Sequence, residues 1–383
     1  QVVLKSQGRN IACPQNPLVL DDLQLNPLLI FQKALVSPKL RSLKDTVIHQ
    51  VLHHRIHFLW GMFPVTISVN SNTYLPTMVE IEKPYTDNYL EVWGDIKKVT
   101  HYSFWDLFDN GIHYPRQKDI YFNGKLWEST LITDVTFNES LSRDSLTIPI
   151  EARKEIELIS QNNRNNMQKM MDSKKEIAPS VWLIPGFCNS TIINQGNKII
   201  IIESPNTSLN VEMIFDLAKQ LFPKSIVDQV VTTSDAWLHV GGIRAAANRA
   251  TVIALNENKE VIEALLHAHY KTEPDAWQAN IKQSAYINYI NKRTTVGTGV
   301  NRIELIPFRT EAGERMMMVY FPEHKLLYSS DLLQPGNWEK HYTYEVLAAI
   351  KRENLVVENI YAMHMQPIRY SELLKQMKAY LSN

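Results

Sequence analysis

Only two cysteines, Cys13 and Cys188, occur in 383 residues. They are too few and too far apart for a disulfide framework or a zinc ribbon, so both are expected to be unpaired thiols. A surplus of either charge is also missing. Forty basic residues balance forty acidic ones and no long basic run interrupts them, which argues against a nucleic-acid partner. No apolar run approaches the roughly 20 residues that span a bilayer, so no transmembrane segment is expected. The opening Gln1-Val-Val-Leu-Lys-Ser-Gln-Gly8 lacks the basic start and apolar middle of a signal peptide. Either none exists or it lies upstream, and the second case would fit a periplasmic or secreted protein. A Gly-x-Ser-x-Gly nucleophile motif is absent, and Ser234 and His239 follow no spacing rule that would make them a catalytic pair. Thr295-Val-Gly-Thr-Gly-Val300 lacks the Lys-Ser/Thr and preceding strand of a phosphate loop and reads as a plain loop.

What is present is the composition of a soluble globular protein, 44% hydrophobic and 21% charged, in a chain long enough for two domains. Residues 1–150 read as an antiparallel β-rich domain. After an irregular stretch to about residue 45, broken by a short helix following Pro27, a hairpin is expected at Phe63–Val69 and Tyr74–Glu82. Further strands are expected at Tyr89–Trp93, Lys97–Trp105, Lys118–Phe122 and Trp127–Phe137. Such a meander curves, and Trp60, Trp93, Tyr102, Trp105, Tyr121 and Trp127 are candidates to fill its concave face. Among the clustered His49, His53, His54 and His57, helical spacing would put His49, His53 and His57 on one face as a metal-binding stripe. On a strand His54 faces away from His53 and His57, and the reading preferred is surface or structural histidines.

Residues 151–179, with Gln161-Asn-Asn-Arg-Asn-Asn166, read as a polar helical linker. Residues 180–383 then alternate strands and helices. Lys198–Glu203 is an apolar strand buried on both faces, a helix with its stripe on Val211, Ile214, Phe215 and Ala218 ends at Pro223, and Ile226–Val231 leads into Thr232-Thr-Ser-Asp-Ala-Trp-Leu-His-Val-Gly-Gly-Ile-Arg244. A polar loop at the carboxyl end of a buried strand is where an α/β sheet places its chemistry.

That loop resembles the Thr-His-x-His-x-Asp-His-x-Gly-Gly signature of the metallo-β-lactamase superfamily. Further echoes are Met316-Met-Met-Val-Tyr-Phe-Pro-Glu-His-Lys-Leu-Leu-Tyr-Ser-Ser-Asp331 and Ile360-Tyr-Ala-Met-His-Met-Gln-Pro367. The resemblance implies an α+β, αββα sandwich over 180–383, in a branch of hydrolases with an N-terminal β domain similar to a lipoprotein-carrier half-barrel. It implies metal ligands at His239, Asp331 and His364, which should converge in space. It also implies losses: Ser234, Ala236 and Leu238 stand where two histidines and an aspartate are expected, and Arg309-Thr-Glu-Ala312 stands where the third histidine of the first zinc site belongs. The first site therefore has no imidazole, while the second keeps two histidines and one carboxylate, a workable set for one zinc, iron or manganese ion. Asp235 is a substitute ligand if the loop is rebuilt. The expectation is a hydrolase-like protein with a degenerate centre, more often without metal than with one, acting on an unknown small molecule. The alternative is a non-catalytic protein that binds or scaffolds a ligand on the same fold.

Overall fold

The computed structural model describes residues 2–6, 9–13, 25–85, 90–108, 111–137, 140, 150, 172–280, 286–334 and 340–381. By contact the chain divides into one unit of Gln1–Gln161 with His269–Glu273 and a second of Asn162–Ala268 with Pro274–Asn383.

In the first unit, β1 (Val2–Ser6) and β2 (Arg9–Cys13) form a hairpin, and α1 (Ile30–Leu35) follows. Seven strands then form one sheet in which spatial order equals chain order: β3 (Arg41–Ile48), β4 (Val51–Trp60), β5 (Phe63–Asn70), β6 (Pro76–Pro84), β7 (Asp95–Phe108), β8 (Ile112–Phe122) and β9 (Lys125–Leu131). Every neighbouring pair is antiparallel, as tight turns require. Ile30 and Ala34 of α1 pack on one face, against Phe58, Val65, Ile67, Val79, Ile81 and Tyr102. Alternation puts these strand residues on a common side.

The structure corrects the sequence reading at several points here. The stretch before residue 45 holds β1, β2 and the start of β3, three strands that sequence alternation did not mark. Within the expected strand Tyr89–Trp93, Glu91–Trp93 is a 3-10 turn that ends at Gly94 with φ 64°. A Cβ there would meet the His269 carbonyl within the same unit, so the chain must turn rather than extend. β9 stops at Leu131, six residues short of Phe137. Trp60 and Trp105 lie against the core that includes Tyr102, but Trp127 is largely exposed and stacks on Phe122 instead of filling a concavity. The histidines lie on β4 and beside it. His53 is buried between the Val51 carbonyl and the Thr77 hydroxyl, His54 pairs outward with Asp45, and His57 faces Thr66.

The second unit contains two sheets. The first has the order β10 (Lys175–Ala178), β11 (Val181–Ile184), β12 (Ser190–Asn194), β13 (Lys198–Ile202), β14 (Ile226–Val231), β15 (Thr251–Leu255) and β16 (Ile287–Ile290). It is antiparallel up to β13 and parallel after it. The parallel half needs crossovers, provided by α2 (Ser208–Leu221), α3 (Trp237–Val240), α4 (Ile243–Arg249), α5 (Lys259–Leu266) and α6 (Ala276–Ala279). The second sheet has the order β17 (Thr294–Val296), β18 (Ile303–Pro307), β19 (Met317–Phe321), β20 (Leu326–Tyr328), β21 (Asn359–Ala362) and β22 (Met365–Arg369), with α7 (Lys340–Arg352) and α8 (Tyr370–Leu381).

The period of two in each strand divides the side chains between layers. Ile200, Ile202, Val231 and Ile253 meet Leu305, Val319, Tyr328 and Tyr361 between the sheets. The opposite faces of the second sheet, Ile306, Met318, Leu327 and Ile360, pack against Val346, Ala349 and Ile350 of α7 and Leu373 and Met377 of α8. Helices α2 and α4 lie against β14 and β15 on the far side of the first sheet. The unit is therefore an α+β sandwich of four layers, αββα. Lys175–Ala178, assigned to a helical linker from sequence, is a strand paired with Val181–Leu183, while linker residues 151–171 lie outside the described residues. Thr295 and Val296, read as loop, belong to β17. No helix among the described residues is long and apolar enough to cross a membrane.

Candidate metal centre

Strands β13 and β14 run parallel and end side by side, so residues 203 and 233 meet. Glu203 follows four buried isoleucines and is itself fully buried, in the left-handed region at φ 74°. A buried carboxylate is tolerable only with donors around it, and Glu203 has three. Its Oε1 accepts from the Thr233 hydroxyl and from the Tyr328 hydroxyl at 2.9 Å, and Oε2 accepts from the Thr233 N–H at 3.3 Å; His239 Nδ1 lies 3.1 Å from Oε1. The Thr233 hydroxyl lies 2.8 Å from Ser330 Oγ, which carries the network to the end of β20. Burial, then the Glu203 charge, holds the Tyr328 phenol well above its ordinary pKa. Burial first, then Glu203 and Asp331, push the Cys188 thiol up to about 12, so this free cysteine is not a thiolate nucleophile near neutral pH.

His239 turns Nδ1 to this network, 3.3 Å from the Thr233 hydroxyl. Its Nε2 is buried and has no hydrogen-bond partner. Next to Ser330, Asp331 accepts from the Gln334 amide at 2.6 Å and lies 3.3 Å from His364 Nε2. The other nitrogen of His364, Nδ1, points at the Phe187 carbonyl, which can only accept. The proton therefore belongs on Nδ1, and Nε2 turns a lone pair towards the Asp331 carboxylate. Two acceptors at 3.3 Å need a proton or a metal ion between them. Burial raises the Asp331 carboxyl above its ordinary range, against the lowering pull of His239 and then His364.

The structure thus brings His364 and Asp331 into contact and joins His239 to the same end of the sandwich through Thr233 and Ser330. The donor atoms of the three do not all come within 4.8 Å of one another. The lost-ligand positions contribute little. Ser234 Oγ accepts the Ala236 N–H at 3.2 Å, Ala236 caps α3, and Leu238 packs against the inter-sheet core. Asp235, offered as a substitute ligand, lies in ion-pair contact with Arg315 and is engaged there. The Arg309–Ala312 segment turns to α7, where the Thr310 hydroxyl and Ala312 N–H bond Glu345.

Sequence reasoning missed Glu203. Its one signal was a charged residue directly after Lys198-Ile-Ile-Ile-Ile202, at the carboxyl end of a strand expected to be buried. Gly241 and Gly242 are explained by close approach: a Cβ would fall 1.8 Å from the Asn206 carbonyl oxygen at the first and 2.2 Å from Val211 at the second.

No protein-family model matches the sequence, and no curated protein matches it. Similar solved structures include a metallo-β-lactamase from Pontibacter korlensis, with 15% identity and a TM-score of 0.43 over 54% of this chain and 97% of that one. They also include an inverting sec-alkylsulfatase from a Pseudomonas species, with 16% identity and a TM-score of 0.40 over 54% of this chain and 40% of that one. A third is the flavodiiron protein of Giardia intestinalis, with 14% identity and a TM-score of 0.42 over 54% of this chain and 58% of that one. The chain therefore spans well under two thirds of the alkylsulfatase and flavodiiron chains. At these identities the likeness is one of fold alone.

Proposed function

We propose that the second unit is a hydrolase-like protein of the metallo-β-lactamase type that keeps one metal position and has lost the other. The observation that carries this reading is the state of the two imidazoles. His239 turns Nδ1 to the Thr233 hydroxyl beside Glu203 and His364 turns Nδ1 to the Phe187 carbonyl, so that His239 Nε2 has no hydrogen-bond partner and His364 Nε2 faces Asp331. Metal-bound histidines adopt this arrangement, the far N–H held by a carboxylate or a carbonyl. With Asp331 the donor set suits one zinc, iron or manganese ion. Such an ion, when bound, supplies Lewis acidity and lowers the pKa of water. The chain's own part is to fix both ring orientations, to hold Asp331 through Gln334, and to keep Tyr328 neutral as a donor to Glu203. Ser234, Ala236 and the Arg309–Ala312 segment present no imidazole for a second ion. Dinuclear hydrolysis is therefore outside the reach of this centre.

Elemental analysis of protein prepared without chelator tests the reading. The expected result is bound zinc, iron or manganese of which close to one equivalent is lost when Asp331 and His364 are replaced by asparagine. No metal after supplementation would sink it and favour a protein that binds a small molecule without chemistry.

Leu238→Asp supplies the missing carboxylate. Its expected effect is tighter zinc binding by at least about tenfold, the size that even outer partners of a ligand carry. Turnover of a generic ester and a generic lactam stays at background. Adding S234H and A236H still leaves the first position one imidazole short, so activity lags behind affinity. Chelator-sensitive turnover by the unmodified protein would show that the centre is not degenerate.

A further inference from the structure

Away from that centre, Glu311, His341 and Glu345 bring donor atoms that all lie within 4.8 Å of one another. His341 and Glu345 are four residues apart on α7 and so share one face, and Glu311 comes from the segment between β18 and β19. We propose that these three side chains form a site for a divalent cation of the zinc or manganese type, which clamps the 309–313 segment onto α7. The inference is independent of any metal at His239, Asp331 and His364.

The ligand chemistry is one imidazole and two carboxylates, with water to complete the shell. The geometry suits it: a tetrahedral zinc with ligands at roughly 2.1 Å holds its donor atoms roughly 3.4 Å apart, and His341 Nε2 lies 2.9 Å from Glu345 Oε1. Small shifts accommodate an ion. One ligand is already oriented. The Glu345 side chain is only 4% exposed, its Oε2 accepts from the Thr310 hydroxyl at 2.6 Å, and its Oε1 accepts from the Ala312 N–H at 3.1 Å. Outer partners of this kind fix the direction of a ligating carboxylate. The other two ligands are exposed, which gives an ion its entry. Electrostatics point the same way: the buried Glu345 has a second carboxylate close by, and like charges at that distance are unfavourable without a cation between them.

The test is zinc titration calorimetry on the full chain, with cobalt absorption as a second readout, for the wild type, D331N/H364N, and D331N/H364N with E311Q, H341N or both added. Glu311 and His341 are exposed, and thermal unfolding without zinc verifies that their variants fold. In the D331N/H364N background, where the centre of the proposed function is disabled, the expected result is a zinc uptake that survives, weakens at least about tenfold when E311Q or H341N is added, and disappears when both are. In that background zinc should raise the midpoint of unfolding unless both are replaced. Uptake in that background unchanged by adding E311Q and H341N, uptake abolished entirely by D331N/H364N, or no uptake by the wild type would each overturn the proposal.

Discussion

Replacing Glu203 by alanine is expected to destabilise the second unit by about 3–5 kcal/mol, the cost of removing one partner from a buried charged network. The change strands the Thr233 N–H and the Thr233 and Tyr328 hydroxyls, all of which donate to the lost carboxylate. In a unit of this size the midpoint of thermal unfolding should fall on the order of 10 °C. Glutamine keeps the shape but not all of the chemistry. With its oxygen at the Oε1 position it still accepts from Thr233 and Tyr328 and faces His239 Nδ1, while its NH₂ at the Oε2 position meets the Thr233 N–H, donor against donor. E203Q should therefore fold with a smaller loss of stability than E203A. Denaturant unfolding of both variants measures the difference. E203A within about 1 kcal/mol of the wild type would mean that the buried network contributes no more than ordinary hydrogen bonds.

An effect of similar size is expected at Arg244, four residues inside the Gly241-Gly242-Ile-Arg run. Its side chain is 3% exposed and holds Asp275 through two hydrogen bonds, at 2.6 and 2.9 Å. It also donates to the carbonyls of Leu265, Leu266 and Ala268 at the end of α5. Methionine in its place fills the volume and leaves those carbonyls and Asp275 without their donor. Urea unfolding of R244M should show a loss of about 3–5 kcal/mol with an unchanged slope. Lysine should recover only part of it, because an ammonium cannot reproduce the planar fork. Equal stability of R244K and the wild type would show that charge alone, and not the fork, matters here.

What could be read from the sequence followed the strength of local periodicity. The run β13, α2, β14, polar loop, α4, β15 was legible because apolar strands and an amphipathic helix alternate there with clear stops at Pro223 and Gly241. The short strands β10, β16, β17 and β22 were not, since they have three to five positions each and lack the continuous buried run that marks β13, β15 and β19. β3 was hidden for another reason: most of Arg41–Ile48 is exposed, so the strand has little buried face to alternate. At the proposed centre, His239, Asp331 and His364 were singled out through flanking residues. Glu203 and the tautomers were not, because they depend on partners 30 to 177 residues away. The His341–Glu345 pair is a visible four-residue spacing, but the approach of Glu311 to it is a product of the fold.

The assignment of His269–Glu273 to the first unit has a consequence for how this chain can be inherited and divided. Asp95, nearly buried, accepts the N–H groups of Lys271 and Thr272 at 2.6 and 3.0 Å, and its own N–H is donated to the His269 carbonyl. A fragment ending at Gln161 would keep the carboxylate and lose those donors. A fragment starting at Asn162 would carry five residues whose partners are elsewhere. The two units therefore differ from beads joined by a linker: no single cut yields two complete pieces, and a gene rearrangement that moved either half alone would transmit an incomplete one.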